Sequence, residues 1–141
     1  ALRDWGHAKD YVDIQWRILQ QEFPEDFVVA TGRQESVRKF IELSAKELGW
    51  GGIIWKGEGL EEVGIRLDTK EIVIKIDKKY FRPCEVNSLI GDSAKARDKL
   101  GWEPSINLEE LVSDMIKNDK ELAKKEALLI KKGFKFTIPK E

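Results

Sequence analysis

Cysteine and histidine are almost missing from this sequence, whose 141 residues include one of each, Cys84 and His7. A single cysteine cannot form a disulfide within the chain, and one cysteine with one histidine is too few for a Cys/His zinc site. Apolar stretches are also short: none approaches the length that spans a membrane, and no signal peptide is recognisable. We therefore predict no metal site, no membrane association and a cytoplasmic location.

Neither sign of charge predominates. The sequence has 25 Lys and Arg against 26 Asp and Glu, and its formal net charge is −1. Proteins that bind nucleic acid non-specifically usually carry a basic face, often with exposed aromatic side chains between the cations. No such face can be identified, so we predict no nucleic-acid partner. The length fits one domain with its own core.

Glycine-rich nucleotide-binding loops are absent as well. There is no P-loop, and residues 57–62 (GEGLEE) begin like a dinucleotide fingerprint but carry Glu62 where the third glycine belongs. No strand–helix unit surrounds them, so we interpret the segment as an acidic loop. Neither Tyr11 nor Tyr80 has a lysine four positions later, which excludes a Tyr-x-x-x-Lys proton-transfer pair.

His7 lies between Asp4 and Asp10, an arrangement that superficially resembles a catalytic triad. No serine or cysteine nearby completes a nucleophile set, so we interpret His7 as a helix-start or packing residue. We predict no catalytic residue and no cofactor-binding residue in this chain.

The pattern that is present indicates short strands and helices. Apolar spacing and capping residues predict four helices: residues 8–21 with Asp10 as N-cap, a helix begun by Ser36 and closed by Gly49, a short one after Asp92 or Ser93 ended by Gly101, and a long one capped by Asn107.

Strands are expected at residues 27–30, 53–55 and 71–76, and residues 133–139 are a candidate edge strand. The first of these is a continuous apolar run, typical of a strand buried on both faces. The fold class is therefore mixed α/β.

One loop carries complementary binding chemistry. Residues 77–87 (DKKYFRPCEVN) follow the last clear strand and place Arg82 and Glu85 three positions apart, with Pro83 between them. Proline restricts its own backbone and that of the preceding residue, so we expect a rigid loop. Arginine suits a phosphate and glutamate suits a ribose diol, which together match a nucleoside diphosphate. The alternative is an Arg82–Glu85 surface pair.

Several stretches together resemble the GDP-mannose 4,6-dehydratases of the extended short-chain dehydrogenase/reductase group. They are residues 2–12 (LRDWGHAKDYV), 25–32 with 36–38, 80–86 (YFRPCEV) and 91–104 (GDSAKARDKLGWEP). The first stretch is specific to the dehydratase, whereas the others mark sugar-nucleotide enzymes more widely. Cys84 stands where the family more often has Thr or Ala, a change small enough to leave the loop intact.

The resemblance implies that residues 1–141 are the C-terminal substrate-binding portion of an extended SDR (Rossmann-type) enzyme. Family members carry an N-terminal Rossmann part that holds NADP, with a catalytic Thr and Glu and a Tyr-x-x-x-Lys pair. None of these motifs occurs here, and the sequence starts without Met, so we interpret it as a fragment. On its own it would expose apolar surface, and we expect poor solubility or self-association.

The parent enzyme implied by the resemblance is a lyase that converts GDP-mannose to GDP-4-keto-6-deoxymannose, on the route to GDP-fucose and related deoxysugars. Carried over by position, Arg3 and Arg82 would grip the diphosphate of GDP and Glu85 the ribose hydroxyls. The implied partners are GDP-mannose or GDP and further copies of the enzyme, as a dimer or tetramer. For Arg3 the alternative is a helix-entry residue paired with Asp4.

Two other functions remain open. One is a stand-alone, non-catalytic module that binds nucleotide sugars, which the strand at residues 27–30 disfavours because such strands normally join a larger sheet. The other is part of a different epimerase, decarboxylase or dehydratase of the same group, which residues 3–8 (RDWGHA) disfavour.

Overall fold

The computed structural model describes residues 2–82 and 84–134. In chain order the elements are β1 (Leu2–Asp4), α1 (Ala8–Leu19), β2 (Gln34–Ser36), α2 (Val37–Glu47), β3 (Ile53–Lys56), a 3-10 turn (Gly59–Glu61), β4 (Val63–Arg66), β5 (Ile72–Lys75), α3 (Ala94–Leu100) and α4 (Leu108–Lys131). This mixture of short strands and helices confirms the α/β expectation. Pro83 and the tail from residue 135 lie outside the described residues, and so do the rigid-loop and edge-strand predictions that depend on them.

The strands form two small antiparallel sheets, β1–β2 and β3–β4–β5. Strands β3 and β5 lie where the sequence predicts them, but β1 and β2 were not predicted, and neither was β4. Its alternation is broken by Gly64, where the pairing with β5 shifts register. Gly64 is required there, because an added Cβ would lie 2.9 Å from the Cβ of Ile74.

The strand expected at residues 27–30 is wrong for the described part of the chain. These residues belong to no strand, and Val28 is 53% exposed. Only Ala30 is fully buried, packed against the backbone at Gly91. Without a neighbouring strand among the described residues, the run has no hydrogen-bonding ladder to join.

Three of the four helices among the described residues begin at a residue whose side chain caps the helix, whereas Ser93, before α3, makes no capping hydrogen bond. The Ser36 hydroxyl accepts from the Lys39 N–H, and Asn107 forms a reciprocal capping box with Glu110, as the sequence predicts. Asp10 as the cap of α1 is wrong: His7 is the cap, and its Nδ1 accepts from the Lys9 N–H at 3.0 Å.

The core lies between α1 and α3. Ile14, Ala96 and Trp102 are fully buried there, and half-buried side chains surround them: Tyr11, Ile18, Phe27, Val29 and Leu100. Arg17 of α1 donates to the Leu100 carbonyl at 3.0 Å and to the Gly101 carbonyl at 2.8 Å, which satisfies the C-terminal end of α3.

The second layer is α2 packed on the first turns of α4. Ala45 of α2 and Leu111 and Val112 of α4 are buried, and Ser113 Oγ lies 3.1 Å from a Glu47 carboxylate oxygen. Every residue from 117 to 134 is exposed except Glu126, which is half-buried. The long helix is therefore anchored at its N-terminal end alone among the described residues.

No helix among the described residues is both long enough and apolar enough to cross a membrane.

Candidate functional site

Strand β1 lies beside the loop that the sequence marks as a binding segment. The Leu2 N–H donates to the Asn87 carbonyl at 2.8 Å, and Leu2 forms a parallel bridge with Ser88. The Ser88 hydroxyl donates to Gln34 Oε1 at 2.9 Å, so the same loop also contacts β2. Two segments more than eighty residues apart in sequence are thereby held side by side.

Arg3 joins the two segments through its side chain. Its Nη2 lies 2.5 Å from Glu85 Oε1, and its Nη1 donates to the carbonyls of Val86 at 2.9 Å and Leu2 at 2.8 Å. The Arg3 and Glu85 side chains are 29% and 36% exposed. The guanidinium therefore borders solvent while it is anchored to main chain on both sides.

Arg82 belongs to the same loop. Its side chain is exposed, and no ion pair joins it to another described residue. The surface pair between Arg82 and Glu85 that the sequence left open is wrong, because Glu85 pairs with Arg3. The structure thus brings Arg3 and Glu85 into contact. Arg82, the third predicted site residue, is exposed and contacts neither of them through an ion pair.

A cleft of about 380 Å³ adjoins Arg3. Its walls are mostly apolar, and they are formed by Arg3, Asp4, Tyr11, Val28, Val29, Ala30, Leu89, Ile90 and Gly91. Burial raises the pKa of the Tyr11 phenol, and the carboxylates of Asp4 and Asp10 raise it further. Tyr11 is therefore a neutral, uncharged wall of the cleft at physiological pH.

Asp4 has a structural task that the sequence did not reveal. Its carboxylate accepts from the Thr31 N–H at 2.9 Å, the Thr31 hydroxyl at 2.7 Å and the Gly32 N–H at 2.9 Å. Gly32 has a φ of 71°, which an L side chain rarely adopts. The alternative in which Asp4 pairs with Arg3 is wrong, since this turn uses the carboxylate.

His7 is confirmed as a helix-start residue. It is 8% exposed, and because Nδ1 accepts from the Lys9 N–H, the neutral ring carries its proton on Nε2. That nitrogen lies 3.3 Å from Asp114 Oδ2, so His7 ties the start of α1 to α4. Both contacts orient the helix that follows β1.

Asp10 has a buried carboxylate near the site, and each of its oxygens accepts a hydrogen bond. Its Oδ1 accepts from the Ser105 hydroxyl at 2.7 Å and its Oδ2 from the Ile106 N–H at 3.1 Å, while its carbonyl accepts from Trp102 Nε1 at 2.9 Å. Burial alone would raise its pKa, but hydrogen bonds from Ser105 and Ile106 and the nearby His7 outweigh burial and lower it.

Two further hollows contain none of the predicted site residues. One, of about 310 Å³, lies between Trp5 and the start of α4. The other, of about 670 Å³, lies between α2 and the three-stranded sheet, where Arg38 pairs with Glu62 and sits over the Trp55 ring at 4.9 Å. Glu62, expected in a solvated acidic loop, is thus partly buried in an ion pair with Arg38.

Comparison with known proteins gives a consistent match. The family model described as GDP-mannose 4,6 dehydratase matches residues 1–115. The GDP-mannose 4,6-dehydratase of Vibrio cholerae is 51% identical over 139 residues, which cover 92% of this chain and 37% of that protein. GDP-mannose 4,6 dehydratase 2 of Caenorhabditis elegans is 54% identical over 119 residues, 84% of this chain and 31% of that protein.

The human GDP-mannose 4,6 dehydratase is 48% identical over 122 residues, which cover 86% of this chain and 32% of that protein. The chain therefore spans about a third of the length of these relatives.

Proposed function

Because the chain belongs to the GDP-mannose 4,6-dehydratase family, we propose that it is the part of such an enzyme that binds the GDP moiety of the substrate. The whole enzyme would convert GDP-mannose to GDP-4-keto-6-deoxymannose as a cytoplasmic lyase. It would act as a homo-oligomer.

The contact between Arg3 and Glu85 is the observation that supports this proposal most directly. It joins residues 2–12, the stretch that is specific to the dehydratase, to residues 80–86, which resemble sugar-nucleotide enzymes more widely. In the proposed complex, Arg3 and Arg82 supply positive charge to the diphosphate and Glu85 accepts from the ribose hydroxyls. The apolar cleft beside Arg3 offers a surface for less polar parts of the ligand.

The residues that the structure describes do not form the dinucleotide-binding unit that NADP would need. Both sheets of the described residues are antiparallel, and no parallel strand–glycine loop–helix unit occurs among them. We propose that NADP is held by a part of the enzyme outside this sequence, where it would supply the hydride chemistry. The role of this chain is then to bind and orient the nucleotide of the substrate.

The test compares GDP with guanosine as ligands of the chain and of its Arg82→Ala variant by titration calorimetry. Loss of one charge-assisted contact should weaken GDP binding about 10- to 100-fold and leave guanosine binding within about twofold. Lys78→Ala removes an exposed cation from the same segment and serves as the matched control. Equal losses for GDP and guanosine would contradict the phosphate role.

The activity itself is tested on a longer protein that carries this chain with an NADP-binding part. Such a protein should consume GDP-mannose in the presence of NADP. An NADP-loaded protein that binds GDP but leaves GDP-mannose unchanged would favour the non-catalytic module or another enzyme of the group.

A further inference from the structure

Glu85 occupies the side of the Arg3 guanidinium that is not bound to main-chain carbonyls. A guanidinium has five N–H donors, and Nη1 gives both of its donors to the main-chain carbonyls of Leu2 and Val86. The remaining donors are on Nε and Nη2, and Glu85 takes Nη2. The Nη1 bonds fix the position of the guanidinium, whereas the other side is available for exchange between two anions.

The exchange is physically easy because the pair is exposed. Arg3 and Glu85 are 29% and 36% exposed, so water screens their attraction, and a pair of this kind contributes little net stability. A diphosphate carries more negative charge than one carboxylate and presents several acceptor oxygens. It can therefore displace Glu85 without breaking the two main-chain bonds of Arg3.

We propose that the Arg3–Glu85 pair is an internal latch of the nucleotide site. In the free chain the Glu85 carboxylate stands where the diphosphate will bind, and the diphosphate, once on Arg3, releases Glu85 to accept from the ribose hydroxyls. This inference rests on the proposed function, because it assigns an order of events to that same site. Only hydrogen bonds and ion pairs are exchanged.

Arg82 supplies the first contact in this sequence of events. Its side chain is exposed, and it has no ion pair with another described residue, so its charge is available to an incoming phosphate. The diphosphate then reaches Arg3, which is already anchored. The latch therefore separates an exposed cation that captures the ligand from an anchored cation that responds to it.

The latch makes the two halves of the ligand cooperative. Release of Glu85 by a phosphate ligand should raise the affinity of the site for a nucleoside, and by linkage the nucleoside must raise the affinity for phosphate by the same factor. Pyrophosphate and guanosine, used as separate ligands, should thus favour each other's binding. If Glu85 is replaced, the two ligands should no longer affect each other's binding.

The experiment measures pyrophosphate and guanosine binding to the chain, each alone and each in the presence of the other, for the natural sequence and for Glu85→Gln. The glutamine keeps the shape but not the charge, so pyrophosphate should bind about fivefold tighter. Guanosine should bind more weakly, and the mutual enhancement should disappear. Glu58→Gln removes an exposed acid of another loop and should leave all three quantities within about twofold.

A second readout follows the side-chain Nε signal of Arg3 by NMR, which should move on pyrophosphate addition in the natural chain. The latch is overturned if Glu85→Gln leaves pyrophosphate binding unchanged or weaker, or if pyrophosphate and guanosine bind the natural chain independently. In either case GDP binding that depends on Arg82 would leave the proposed function standing. A natural chain that binds neither GDP nor pyrophosphate would instead overturn both.

Discussion

The carboxylate of Asp10 accepts a hydrogen bond from Ser105, which lies 95 positions later in the sequence: the serine hydroxyl is 2.7 Å from Asp10 Oδ1. Its second oxygen accepts from the Ile106 N–H, and Asp10 is only 6% exposed. This contact fastens α1, which follows the Arg3 strand, to the segment that leads into α4. The geometry of the proposed site therefore depends on a buried group that touches no ligand.

Asp10→Asn should destabilise the fold by about 2 kcal/mol, because it removes the negative charge and replaces one of the two accepting oxygens by an NH2 group that faces either the Ser105 hydroxyl or the Ile106 N–H. The change is measured as the free energy of unfolding in urea. Asp13→Asn is the matched control, since the Asp13 side chain is 45% exposed and its ion pair is with Arg17 of the same helix. That control should change stability by no more than about 0.5 kcal/mol; an equal loss in both variants would contradict the role of the buried contact.

The acid sensitivity of the chain should also depend on Asp10. Its pKa in the folded chain is lowered below its ordinary value, so the folded state binds fewer protons than the unfolded state in the range between the two pKa values. The stabilisation is therefore complete above about pH 4 and is lost as the pH falls through the folded-state pKa.

Unfolding free energies measured between pH 6 and about pH 2 test this point. The pKa values of Glu25 and Asp68 are also lowered, Asp68 to about 2 beside Arg66, so both the natural chain and Asp10→Asn should lose stability in acid. The difference between the two should shrink below about pH 4. If the two proteins differ in unfolding free energy by the same amount down to the lowest pH, the charge of Asp10 is not what stabilises the natural chain.

Local signals made much of the fold predictable from the sequence. Caps such as Ser36 and Asn107 act within four residues, so the sequence alone identifies them. Asp10 shows the limit of this reasoning: it has the chemistry of an N-cap, but Ser105 and Ile106 take its carboxylate, and His7 becomes the cap. Nothing in the sequence near residue 10 indicates those partners.

The candidate site, too, could be predicted from the sequence only in part. Resemblance identified Arg3, Arg82 and Glu85 as a group, but the sequence could not show that Arg3 and Glu85 contact each other, since 82 positions separate them. Strand β4 was missed because Gly64 and the shifted register interrupt its alternation. Pairings between distant segments and irregular strands depend on tertiary contacts, which periodicity does not report.

The turn at residues 31–32 should depend on Asp4. Asp4→Asn places an amide against the two N–H donors of Thr31 and Gly32 and should cost about 1–3 kcal/mol of unfolding free energy. Thr31→Val removes only the hydroxyl donor and should cost less. Hydrogen exchange of the Gly32 amide reports the local effect: it should accelerate in Asp4→Asn and stay slow in Thr31→Val. Unchanged exchange in both would contradict this account.

Gly6 should be required by the ring of Tyr11 and not by its backbone conformation. A Cβ at Gly6 would lie 2.0 Å from the Tyr11 hydroxyl oxygen and 2.2 Å from Cζ, and Gly6 is not among the glycines with positive φ. Gly6→Ala should therefore displace a ring that packs against the core and cost about 1–3 kcal/mol.

The double variant separates the two explanations for Gly6. Tyr11→Ala is itself destabilising because it empties part of the core, but Gly6→Ala added to it should cost less than about 0.5 kcal/mol more, since the clash is gone. Unfolding free energies of the four proteins in this cycle provide the test. If the cost of Gly6→Ala is the same with and without the tyrosine ring, the requirement lies in the backbone, and the contact between these two residues does not explain the glycine.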